Sequence, residues 1–231
     1  MSIPMKRSRL NGRCNSIVQL YIVFKEGLLP RLTLGIAIFL ILCSTTNSFA
    51  EKVSLKEAMA EKSIGSPNAP ITMVEYSSLT CSHCAAFHTD TLPSIKRDYI
   101  DTGKLRMVFW DFPLGNLALA ATMIARCSGQ DNYVPMTNAL FLSQKTWANS
   151  DAPFDAIAGI ARLSGMSIND IEKCLDDREL LAAIEAKAKE AESLLGVKST
   201  PTFFIEGQMV PGNLPYEDFK DLLDKALAKK P

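Results

Sequence analysis

Cys81-Ser82-His83-Cys84 is the stretch of this chain best equipped for chemistry. Two thiols three residues apart can close to a disulfide and reopen, exchanging two electrons with another thiol pair. The four residues before them, Ser77-Ser78-Leu79-Thr80, are N-cap chemistry, so a helix should begin at or beside Cys81. The free N–H groups and dipole at a helix N-terminus favour an anion. The Cys81 thiolate should therefore be stabilised and its pKa lowered. His83, when protonated, adds positive charge beside the reduced pair, and Ser82 completes the dipeptide between the sulfurs. Cys84 lies one turn further in and faces the same side. The expectation is an exposed, attacking Cys81 and a buried, resolving Cys84. A purely structural Cys81–Cys84 disulfide would gain little chain entropy across so short a loop. A zinc site built on Cys81, Cys84 and His83 or His88 lacks a second C-x-x-C or H-x₃₋₅-H pair, so no metal is expected. Ala85, directly after the second cysteine, excludes haem attachment. His88 reads as an ordinary helix residue.

Two further positions could serve the same chemistry. Glu75 is an acid in an otherwise apolar run, six residues before Cys81. It reads either as an exposed edge residue or as a buried carboxyl with a raised pKa that handles the proton of Cys84. Thr200-Pro201 opens the apolar stretch Thr202–Ile205. A cis bond there would bring the backbone against the disulfide.

These residues need elements to hold them. Gly65 to Pro70 is turn chemistry. Ile71 to Tyr76 is apolar on both faces and β-branched, the pattern of a buried strand. Pro93 should kink or break the helix that starts near Cys81. Lys104 to Phe112 is a second strand, ended by Pro113. From Leu117 to Leu195 the pattern is helical and rich in Ala and Leu, with interruptions expected at Gly129, Pro135, Pro153 and Gly165, and a cap at Gly196. Thr202–Ile205 and Gln208–Val210 flank Glu206-Gly207 as a hairpin. Tyr216 to Lys229 is a closing amphipathic helix. The order is strand, helix, strand, helical block, hairpin, helix: an α/β fold with a helical insertion over about 114–195.

The composition fits a packed domain, with 47% hydrophobic and 22% charged residues among 231. The formal net charge of zero hides an asymmetry. Residues 1–50 carry six Lys/Arg and one acid, leaving 19 basic and 24 acidic residues after position 50. No basic field advertises nucleic acid. A basic stretch, the apolar run Leu34–Cys43, and Ser48 and Ala50 before Glu51 make the first 50 residues a secretory signal. An uncleaved membrane anchor is the alternative. Residues 51–231 then form one exported, periplasmic domain. In such an oxidising compartment the two remaining cysteines, Cys127 and Cys174, more often pair than stay free. They read as a structural staple.

Gly65-Ser66-Pro67-Asn68-Ala69-Pro70-Ile71, Val74-Glu75-Tyr76, Leu79 to Cys84, and Ser199-Thr200-Pro201-Thr202-Phe203-Phe204-Ile205 together resemble DsbA-like periplasmic thiol–disulfide oxidoreductases. The likeness spans nearly all of residues 64–229 and is nearest to the alphaproteobacterial-type branch. In that branch an Ala-Arg-Cys and a later Cys-Leu form a second disulfide, matching Cys127 and Cys174. The resemblance implies a thioredoxin fold with an inserted helical domain and a cis-proline, Pro201, facing the redox cysteines. It implies oxidation of exported proteins with free thiols, a quinone-linked membrane reoxidant of DsbB type, and no cofactor beyond the redox-active disulfide. The sequence departs from the best-known members at Ser82, where they have proline, and Thr200 before the proline also occurs in isomerase relatives. An isomerase or reductase is therefore the alternative enzyme, and a periplasmic holdase or metal-binding module the alternative of another class.

Overall fold

The computed structural model describes residues 53–230. The signal read at residues 1–50 lies outside the described residues.

Five strands form one sheet in the order β1-β3-β2-β4-β5. They are β1 (Lys62–Ile64), β2 (Ile71–Ser77), β3 (Leu105–Asp111), β4 (Thr202–Ile205) and β5 (Gln208–Pro211). β2 and β3 run parallel, and every other pairing is antiparallel. β2 is thus the central strand. Its residues Ile71, Met73 and Glu75 share one face and are wholly buried, as a period of two requires. That face is covered by α2 (Ser82–Ala86) and its continuations and by α10 (Tyr216–Leu227). Phe87, Phe203 and Phe219 meet there, with ring centroids 4.6 to 5.5 Å apart. Aromatic clusters of this kind anchor cores both by area and by edge geometry.

Of the kink or break expected at Pro93, the break does not occur. The helix begun at Cys81 runs without interruption from Ser82 to Ile100, as α2, a π turn over Phe87–Thr91, α3 (Leu92–Ile95) and a second π turn over Lys96–Ile100. Pro93 falls in the first turn of α3, straight after the π turn. The widened turn accommodates a residue with no N–H, so the proline neither breaks nor ends the helix.

Between β3 and β4 stand α4 (Asn116–Cys127), α5 (Tyr133–Leu142), α6 (Gln144–Trp147), α7 (Pro153–Leu163), α8 (Ile168–Leu175) and α9 (Arg178–Leu195). Breaks occur at Gly129, Pro153 and Gly165 as expected, and Gly196 ends α9 in a left-handed conformation. Pro135 is a correction: it sits in the first turn of α5, where a missing N–H leaves no intrahelical bond unmade. The block also divides at Ser143 and at Asp176-Asp177. The Asp177 carboxylate accepts the Glu179 and Leu180 N–H groups and so starts α9.

Two elements before Gly65 were not expected, α1 (Leu55–Ala58) and β1. They are short, and distant residues hold them. Arg126 on α4 is 0% exposed. It pairs with Asp111 at 2.6 Å and donates to the Ala58 and Ala60 carbonyls. Its guanidinium lies over the Tyr133 and Trp110 rings, 4.8 and 5.4 Å from their centroids. Gly65 then turns the chain tightly against β3. A side chain there would place its Cβ 2.5 Å from the Leu105 carbonyl, at φ +95°. In the β4–β5 hairpin, Glu206 and Gly207 both take positive φ, 48° and 83°. That is the geometry of a two-residue turn matching strand twist.

Candidate active site

Cys81 itself is the N-cap of α2. Its Sγ accepts the Cys84 N–H at 3.4 Å, taking the place that an oxygen of Ser77–Thr80 was expected to fill. The sulfur that caps the helix is therefore also the sulfur at the positive end of the helix dipole. Cys81 is half-buried and Cys84 is 0% exposed, and both are free thiols in this structure. Cys81 is thus the more accessible of the two sulfurs and Cys84 the enclosed one.

The Thr200–Pro201 bond is cis. The loop carrying it lies directly against the motif, with the Cys81 thiol donating to the Thr200 carbonyl at 3.2 Å. The Gly212 N–H bonds to the Pro201 carbonyl at 2.8 Å and the Thr202 hydroxyl to the Ser199 carbonyl at 2.7 Å. These contacts hold the loop where β4 begins.

The two sulfurs titrate in opposite directions. The Cys84 thiol donating to Cys81, then the Thr200 hydroxyl and the N–H groups of Cys84 and His83, bring Cys81 down from the ordinary thiol value of 9.0 to about 5, against an opposing push from burial. Burial, the Cys81 neighbour and the Glu75 carboxylate all push the Cys84 thiol far up. At neutral pH the pair holds one thiolate, on the accessible sulfur. His83 contributes its backbone N–H, while its ring and Ser82 are exposed.

Glu75 is 0% exposed on the central strand, flanked by Phe109 on β3 and Phe203 on β4. The exposed-edge reading is thereby excluded. Its partner corrects a second expectation. His88 is no ordinary helix residue: its side chain is 4% exposed, and Nε2 lies 3.2 and 3.0 Å from the two Glu75 oxygens. The spacing held a usable signal, because His88 follows Cys84 by four residues and so shares its helix face.

Gln144 is a second residue that sequence reading missed. From the start of α6 its amide donates to the Leu79 carbonyl at 2.8 Å and to the Cys81 carbonyl at 2.9 Å. The inserted helices thus reach across and hold the motif loop. A single glutamine 60 residues away carries no local signal. Cys127 and Cys174 lie elsewhere, joined by a disulfide between α4 and α8 with Cα atoms 6.2 Å apart. Among the described residues, no group of three or more His, Cys, Asp or Glu is placed to hold a metal ion.

A thioredoxin family model matches residues 57–225. The crystal structure of alpha-DsbA1 from Wolbachia pipientis superposes with a TM-score of 0.69 at 33% identity, covering 74% of this chain and 92% of that one. The chain belongs to the DsbA-like branch of the thioredoxin family. A relative from Rickettsia conorii named as a protein-disulfide oxidoreductase is 30% identical over 182 residues, 78% of this chain. This chain spans 65% of that relative's length. BdbD from Bacillus subtilis, 21% identical with a TM-score of 0.66, shares the fold. In this DsbA-like chain the thioredoxin sheet supplies the motif and the cis-proline loop, and the helices inserted after β3 supply Gln144 and the second disulfide.

Proposed function

We propose that the chain is a disulfide donor for exported proteins that carry free thiols. The observation that carries this reading is the split between the two sulfurs, with Cys81 held as a thiolate down to about pH 5 and Cys84 held as a thiol. A stabilised Cys81 thiolate favours the reduced enzyme, and a stable reduced form makes the oxidised form a strong oxidant. A substrate thiolate bonds to Cys81 Sγ, and the Cys81–Cys84 bond breaks. The substrate's second thiolate then attacks its own sulfur in the mixed disulfide. It leaves with a disulfide, and Cys81 is released as a thiolate. The Thr200 backbone beside Cys81 offers an extended substrate segment hydrogen bonds as it lies across the loop.

The electrons pass through the cysteine pair alone, so the reading needs no cofactor. Export to the periplasm and reoxidation by a quinone-linked membrane protein of DsbB type belong to the same proposal. They are supported by the basic and apolar leader and by the family. No helix among the described residues is long and apolar enough to cross a membrane. Equilibration with glutathione tests the donor reading. A potential near about −120 mV is expected, and one near about −270 mV would assign the chain to reduction instead.

A further inference from the structure

Glu75 and His88 form a buried ion-pair geometry directly behind the motif. Such a pair is an expensive way to hold a fold, since desolvating both groups offsets most of their attraction. The surroundings are apolar. The His88 ring stacks on Phe141 with centroids 4.1 Å apart, and Phe87 and Phe109 lie 5.6 and 6.0 Å away. Cys84, on the same helix as His88, and Tyr133 from α5, whose hydroxyl donates to Asp111, also feel the Glu75 charge. Phe109 on β3 and Phe203 on β4 stand directly opposite it.

The far side of the ring is different. Nδ1 lies 3.3 Å from the side-chain amide oxygen of Asn138, a half-buried residue on α5. An amide can turn to offer either its oxygen or its NH₂. Asn138 can therefore accept from a protonated Nδ1 or donate to a bare one, and the ring keeps a partner in both states. Cys84, by contrast, is sealed from solvent, yet its proton must come and go once in every redox cycle.

We propose that His88 is a positioning residue for the resolving sulfur: through Glu75 it supplies the proton Cys84 takes up when the disulfide opens, and it takes that proton back when the disulfide re-forms. This rests on the disulfide-donor reading. In the opening step the substrate thiolate bonds to Cys81 Sγ, the Cys81–Cys84 bond breaks, and its electron pair goes to Cys84 Sγ. Glu75 passes to that sulfur the proton it receives from His88 Nε2, so Cys84 leaves as a thiol. A solvent proton enters the ring at Nδ1, on the Asn138 side, as the Nε2 proton leaves, so the neutral ring passes from its Nε2–H to its Nδ1–H form. When the disulfide of a reoxidising protein later re-forms the pair, Cys84 gives up its proton along the same groups in reverse.

The test is single-turnover opening of the oxidised protein by a peptide carrying two cysteines, followed between about pH 5 and 9 in H₂O and in D₂O. General acid–base groups contribute about 10²–10⁴-fold, so His88→Gln should slow opening by about 10²-fold. It should also flatten the pH profile and remove the solvent isotope effect. Asn138→Leu, which leaves the Nε2–Glu75 contact intact, should slow opening by about tenfold. In His88→Ala, added imidazole should restore rate. A folded His88→Gln protein with the wild-type rate, pH profile and isotope effect overturns the proposal. If His88→Gln does not fold, failure of imidazole to rescue His88→Ala together with a wild-type rate for Asn138→Leu overturns it. Failure of the unaltered protein to oxidise the peptide would instead count against the donor reading itself.

Discussion

The two cysteine pairs of this molecule differ in almost every physical respect. Cys81 and Cys84 are three residues apart on the first turn of a helix, one sulfur accessible and one sealed, with a carboxylate and an imidazole behind them. Cys127 and Cys174 are 47 residues apart and tie two helices of the insertion together. They pack with Ala58, Met123, Leu180 and Ile184. A disulfide becomes a reagent where a helix end and a neighbouring loop stabilise the thiolate that its opening releases. Where it closes a long loop inside an apolar cluster, it acts on the unfolded chain instead. The difference lies in the surroundings of the sulfur, because the residue type is the same.

The contrast can be broken at either pair. Cys81→Ser should reduce peptide-thiol oxidation to the uncatalysed rate while changing stability by less than about 1 kcal/mol in a denaturant titration at about pH 5, where the stabilisation by the thiolate is lost. Replacing Cys127 and Cys174 together by Ala should do the reverse. Opening a 47-residue loop costs about 4 kcal/mol in the chain-entropy view, so the melting temperature should fall while the peptide assay at low temperature stays within a factor of a few. A double variant as stable as the parent would mean that packing alone holds α4 to α8. Gln144→Ala probes the link from the insertion to the motif. It leaves the buried Leu79 carbonyl without its Gln144 donor and frees the Cys81 carbonyl, at a cost of about 1–3 kcal/mol, visible in the denaturation midpoint.

A further test is a pH dependence confined to the redox pair. Cys81 is depressed in the folded state, so its contribution to the stability of the reduced protein is fully present above 9.0. It is lost as pH falls through about 5. The stability advantage of the reduced over the oxidised protein should therefore shrink steadily across that window. Paired melts of the two forms at several pH values measure it, and a constant difference would show that Cys81 is not held as a thiolate.

Much of this was legible from the chain. The motif, the strands at 71–77, 105–111 and 202–205, and the final helix all announce themselves through local pattern, because burial on a strand or helix imposes a period on the residues that form it. The resemblance to DsbA-like proteins supplied the cis-proline and the second disulfide. What escaped were contacts made between segments far apart in sequence. Arg126 holds Ala58 at the end of α1 and Ala60 just beyond it from 68 and 66 residues away, and Gln144 reaches Leu79 across 65. His88 was closer to hand, four residues beyond Cys84, but its meaning depends on Glu75 being buried opposite it. That required the sheet order to be known. Pro93 does not break its helix because a π turn absorbs a residue that an ordinary helix rejects.

The sheet edges carry a last consequence. β1 is three residues long, and β5, four residues long, ends at Pro211, which has no N–H to offer. An unfolded chain searching for a strand to extend finds little template along either border. Under the proposed donor reading, unfolded thiol substrates would otherwise be collected by backbone pairing and carried into aggregates. With both borders curtailed, adhesion is left to the sulfur and the loop beside it, where contact is brief and ends with the chemistry.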